Sequence, residues 1–184
     1  MLWLWILGGL VLLLVLLFIV LHLLGKGLPE GHVISSTLRV ARPPDEVFGL
    51  LSDTAAIPTW DKGVDRVERL ADRDGHETWR WHMGRNAMVL SITQRTPPTT
   101  LVRTIADEAK FFSGDWTYVL RPEGSGTALE LTEHGRVHVA IPRAMMRYLP
   151  KIADPYMYLR RHLTHLATHL GEAARIEKGP RLPA

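Results

Sequence analysis

The 184-residue chain carries 22 Lys and Arg against 19 Asp and Glu, a net charge of +3, with 46% hydrophobic residues and no cysteine. Disulfides and thiolate metal ligands are thereby excluded, and acids interleave with bases (Asp61-Lys62, Asp65-Arg66, Glu68-Arg69) without the single-sign run that nucleic acid would favour. Beyond an apolar leading segment roughly 155 residues remain, the size of one domain with a real core.

Residues 2–24 are uncharged and overwhelmingly apolar, followed at once by Lys26. About 20 residues of helix cross a hydrocarbon core, so this run is long enough to span one. A cleavable signal would need a basic start, a shorter apolar centre and small residues at a cleavage site, and the run has none of these. It is therefore expected to be a membrane anchor over residues 1–25, with Trp3 and Trp5 at one headgroup layer. Lys26, Arg39 and Arg42 lie on its C-terminal side and no base on the other, which favours a cytoplasmic position for the rest.

The β-formers and Ser/Thr of residues 32–41 predict a strand. Arg42-Pro43-Pro44-Asp45-Glu46 then ends it and opens a helix, because proline suits a first turn and acids suit a helix N-terminus. Val47, Phe48, Leu50 and Leu51 give that helix an apolar side, and Ser52-Asp53-Thr54 caps a second short helix running to Trp60, read as a structural plug.

From Val64 the pattern has period two, with turn residues at nearly even intervals. Strands are predicted over 64–70, 78–83, 87–95, 101–106, 116–120 and 128–139, with turns at Asp74-Gly75, Gly84-Arg85-Asn86, Pro97-Pro98, Ser113-Gly114-Asp115 and Gly124-Ser125-Gly126. Connections this short make an antiparallel meander. Residues 143–172 read as helix, interrupted at Pro150 and Pro155, with Leu159, Leu163, Leu166 and Leu170 forming one stripe. The tail, residues 173–184, is expected to be loose.

This order, with Arg42-Pro43-Pro44-Asp45-Glu46-Val47-Phe48, Asp53 through Trp60, Phe112 through Tyr118 and Gly126 through Glu133, resembles the SRPBCC superfamily: the START-related lipid-transfer and polyketide cyclase/dehydratase proteins. The likeness covers residues 32–172. It implies an α+β helix-grip fold, a curved antiparallel sheet of about seven strands around a long C-terminal helix, with a cavity between them for an apolar ligand. Fold alone names no reaction.

On that resemblance Trp79, Trp81 and Met83 share one strand face, Met88, Leu90 and Ile92 a second, and Trp116 and Tyr118 a third. With Met145 and Tyr156 from the helical region, these are the candidate ligand-binding residues, although the same side chains could simply fill a core; Ile92 completes its face without being singled out. The expected partners are a lipid bilayer and a hydrophobic small molecule or lipid. No cofactor and no metal are indicated: His165 and His169 have i, i+4 spacing, but a third ligand and a base are missing. Their flank, with His162, is placed about a quarter-turn from the leucine stripe, at the core boundary or in solvent. An enzyme acting on a polyketide-like or aromatic compound is the alternative, with Glu133, Arg103 or a histidine as its polar agent, though Glu133 and Arg103 are expected at strand ends, meeting water or a partner charge. A third possibility is an interaction module whose cavity is filled by its own side chains.

Overall fold

In the computed structural model, which describes residues 2–106 and 111–183, the apolar run forms one helix, α1 (Leu2–Lys26). None of its apolar window is buried, and the helix is long and apolar enough to cross a membrane. Residues 27–30 lead into β1 (Gly31–Val40), where His32, Ile34, Ser36, Leu38 and Val40 face inward at period two. Then come α2 (Pro44–Ser52), which starts on a proline with Asp45 and Glu46 in its first turn, and a short turn in which the Asp53 side chain caps the Ala56 amide. That turn passes into α3 (Ile57–Trp60), and Trp60 is buried, as a plug should be.

The meander follows as β2 (Arg66–Arg69), β3 (Thr78–Met83), β4 (Asn86–Thr96), β5 (Thr100–Ala106), β6 (Phe112–Glu123) and β7 (Gly126–Val137). After it come α4 (Ala140–Tyr148), α5 (Met157–His169) and β8 (Arg175–Pro183). All pairings are antiparallel, in the order β2-β3-β4-β5-β6-β7-β1-β8. The sheet closes around α5, whose Leu159, Leu163, Leu166 and Ala167 are fully buried against it. This is the helix-grip fold, and each fully buried leucine on that stripe contributes about 2 kcal/mol of apolar burial.

Two expectations are corrected, and a third is met. The strand expected to start at Trp116 starts at Phe112, because Gly114 faces Gly135 across the ladder and the pair allows the two backbones to stay together through a stretch that reads locally as a turn. The interruption expected at Pro150 and Pro155 is present, and it parts the helical region into α4 and α5. The tail expected to be loose is the eighth strand. Without it the hydrogen-bonding edge of β1 would stand open, and Ile176, packed on the core, with Glu177, bonded to Arg39 at 2.5 Å, holds it there.

A chain ending at Ala174 should therefore show faster amide hydrogen exchange at the β1 amides that point toward β8, while those bonded to β7 keep their protection. Equal exchange at both sets would contradict the pairing.

Candidate functional site

The inner face of the sheet is filled at its centre. Trp81 and Tyr118 are completely buried, Trp116 is 3% exposed, and all three rings meet the His162 imidazole of α5, as Trp81 meets Trp116, at centroid distances of 5.9–6.4 Å. Trp60 closes the other side of His162, 5.1 Å away. Arg103, with no exposed surface, lies with its guanidinium carbon 5.2 Å from both the Trp81 and Tyr118 rings and donates to the Leu51 carbonyl. Among the described residues its Nε and Nη1, and the indole N–H groups of Trp60 and Trp81, have no acceptor.

His162 stands between two polar groups. Its Nδ1 is 2.6 Å from Asp61 Oδ2 and its Nε2 is 3.2 Å from the Tyr118 hydroxyl. His165 Nδ1 reaches Asp61 Oδ1, also at 2.6 Å, and the Gly63 amide donates to the same oxygen at 2.8 Å. Burial on its own would raise the Asp61 carboxyl, but the hydrogen bonds from His162, His165 and the Gly63 amide outweigh it and hold the group below the usual carboxylate range. Burial pushes His162 down, only partly offset by Asp61. We therefore assign an ionised Asp61 that receives Nδ1–H from a neutral His162, whose Nε2 accepts from Tyr118. Burial raises the Tyr118 phenol, against the nearby Arg103 charge, so it stays protonated and can donate.

Clefts open at both ends of β1, the one at its C-terminal end being lined by Arg39, Val40, Glu123 and Glu172. A cleft of about 430 Å³ opens where the chain leaves α1, between residues 28–32 and α4, with Leu28, Pro29, His32, Arg143, Met146 and Arg147 in its wall. His32 links it to the interior: its Nε2 lies 2.8 Å from Glu133 Oε1, and Glu133 Oε2 accepts the Trp116 indole N–H at 2.8 Å. Gly135 makes that link possible, because a Cβ there would come within 2.6 Å of the His32 ring.

The candidate residues divide accordingly. Trp81, Leu90, Trp116 and Tyr118 are core residues, since Arg103, Trp60 and His162 occupy the space that they were expected to line. Trp79, Met83 and Met88 are half-buried against the same core; Trp79 donates to Glu77 at 2.7 Å, and Met83 Sδ accepts the Tyr158 hydroxyl at 2.9 Å. Tyr156 packs there too and donates to the Gly179 carbonyl. Met145 is half-buried on α4, whereas its neighbour Met146 is the one in the cleft wall. Glu133 and Arg103 face inward, not toward water, and His162 is buried while His169 is exposed. No group of three or more metal-ligating side chains occurs among the described residues. The sequence reading missed Asp61 and the cleft, and it placed His162 at the core boundary or in solvent where the structure buries it; its 40° offset from Leu166 at 100° per residue is the signal that could have found it.

A family model described as polyketide cyclase/dehydrase and lipid transport matches residues 31–171. Among curated proteins none matches significantly. A START superfamily protein from Mycobacterium smegmatis is similar in structure (TM-score 0.60, 18% identity, 76% of this chain and 99% of that one). So is a conserved protein from Geobacillus kaustophilus (0.61, 13%, 79% and 99%). An aromatase/cyclase from Streptomyces sp. R1128 aligns at TM-score 0.56 and 16% identity over 76% of this chain and 96% of its own. At such identities the likeness carries the fold and not the chemistry.

The buried pair sets a pH dependence. Unfolded His162 takes a proton near 6.5 and folded His162 resists it, so stability is present above 6.5 and falls as the pH drops below it; Asp61 adds a second loss below 3.8. Denaturant titrations of the detergent-solubilised chain should show both losses, and His162→Gln should flatten the profile between 6.5 and 3.8.

Proposed function

The chain belongs to the polyketide cyclase/dehydrase and lipid transport family, and from that premise we propose that it is a membrane-held module that binds or transfers a hydrophobic small molecule or lipid, taken up in the cleft beside the end of α1. The observation that carries this reading is the position of the cleft: Leu28 and Pro29 in its wall follow the apolar helix after a single residue, Gly27. A ligand leaving a bilayer spanned by α1 would meet this opening first, with an apolar wall in Met146, Leu28 and Val137 and cations at its rim. The exposed leucines of α1 find an apolar surrounding in the bilayer, and Lys26 supports a cytoplasmic position for the domain.

A second reading, a cyclase- or dehydratase-like enzyme, draws on the interior. Four buried N–H groups there have no acceptor among the described residues, and Tyr118, His162 and Asp61 form a chain of hydrogen bonds beside them. Such a set suits an electron-rich oxygen and a proton supplied by Tyr118. It needs the interior to open, which the cleft reading does not.

Purified full-length protein in nanodiscs, incubated with a membrane lipid extract and analysed by mass spectrometry, should retain a bound hydrophobic molecule. Met146→Trp should fill the cleft and weaken retention about tenfold or more, the equivalent of ~1.4 kcal/mol, at an unchanged melting temperature; full retention would remove the cleft as the site. Tyr118→Phe should leave retention intact, costing about 1 kcal/mol of stability, whereas under the enzymatic reading it abolishes turnover of an aromatic polyketide-like substrate.

A further inference from the structure

We propose that the end of α4 and the turn after it, residues 147–152, form a second contact with the bilayer by lying in the headgroup layer of an anionic leaflet, so that the cleft opens directly onto lipid. The inference rests on the reading above that α1 spans the membrane, and adds a surface to it.

The geometry begins at the last turns of α1. Gly25 is buried there, and any Cβ at this position would overlap the Ala140 carbonyl at the start of α4. Arg143, one turn further along α4, donates through Nε to the Gly25 carbonyl at 3.1 Å and through Nη1 to Glu30 at 2.7 Å and to the Val137 carbonyl at 3.2 Å. The span is thus docked on the domain without a flexible linker, and α4 is held beside the point where α1 would leave the bilayer. A nine-residue helix is about 13 Å long, so its far end stays within reach of the same surface.

That far end has the chemistry of an interfacial segment. Tyr148 is 49% exposed and Ile152 72%, with the cations Arg147 and Lys151 exposed beside them. The Arg147 guanidinium lies 5.7 Å from the centre of the Tyr148 ring. Ile152 is held outward by a turn in which its own amide and that of Ala153 both donate to the Leu149 carbonyl at 2.9 Å. An amphipathic aromatic ring, an aliphatic side chain and two bases set side by side match the headgroup layer, where apolar groups enter the acyl boundary and cations meet anionic lipid. Arg147 and Pro150 belong also to the cleft wall, so the patch is the cleft's own rim.

The absence of cysteine allows a clean test. Single cysteines introduced as Leu13→Cys, Ile152→Cys and Ser125→Cys in the full-length protein, labelled with an environment-sensitive fluorophore and placed in nanodiscs carrying spin-labelled lipid, report depth at three places. Ser125 lies in the β6–β7 turn, separated from the cleft by the length of β1, about 33 Å. The labels at 13 and 152 should be blue-shifted and quenched, and the label at 125 should remain water-like. Quenching at 152 should be greater in phosphatidylglycerol-containing discs than in phosphatidylcholine alone, and Lys151→Glu in the Ile152→Cys background should reduce it. A label at 152 that behaves like that at 125, while the label at 13 is quenched, overturns this proposal and leaves the span standing. An unquenched label at 13 overturns the span and this contact together. Equal quenching at 152 in both lipid compositions overturns the assignment to anionic lipid.

Discussion

The grip of the sheet on α5 depends on one carboxylate. Asp61, which directly follows α3, accepts hydrogen bonds from two histidines one turn apart on the same side of α5 and from the Gly63 amide, and it is 2% exposed. A buried carboxylate with fewer donors would be strongly destabilising, whereas each charge-assisted bond here contributes about 1.5–3 kcal/mol. The tie fixes His162 over the middle of the sheet. Trp60, Trp81, Trp116 and Tyr118 then pack around a fixed ring, and the hollow that this fold provides between sheet and helix is occupied at its centre.

The cleft beside α1 lies outside that packing. It sits at the end of the sheet where β1 begins and β7 ends, and where α4 crosses the last turns of α1. Two glycines make the geometry feasible: Gly25 lets α4 approach the apolar helix, and Gly135 lets His32 reach across to Glu133. The His32–Glu133–Trp116 chain then joins the wall of the cleft to the aromatic interior, so the two candidate regions are neighbours in one hydrogen-bonded system.

Charge placement separates those regions as well. The interior combines an ionised Asp61 with the Arg103 guanidinium sandwiched between two rings, a balance of opposite charges kept from water. The cleft end carries its cations outward, with Arg143 committed to Glu30 and to backbone carbonyls while Arg147 and Lys151 face solvent. One end of the domain is consequently both apolar and basic, and it is the end from which the apolar helix emerges.

Much of this was legible in the residues themselves. An uncharged run of spanning length, prolines that can only open or break helices, period-two strands with glycine turns and a leucine stripe at helical spacing are local properties, and they determined α1, the order of elements and the buried side of α5. Only the tertiary structure decided what fills the interior, because alternation identifies two faces of a strand but not the volume between one face and a helix distant in sequence. Trp81 and Tyr118 became core when Arg103, Trp60 and His162 arrived from three other elements to occupy that volume. The tail became a strand for the same reason: its own residues predict little order, but the unpaired edge of β1, set by its pairing with the distant β7, supplied the partner that they lacked.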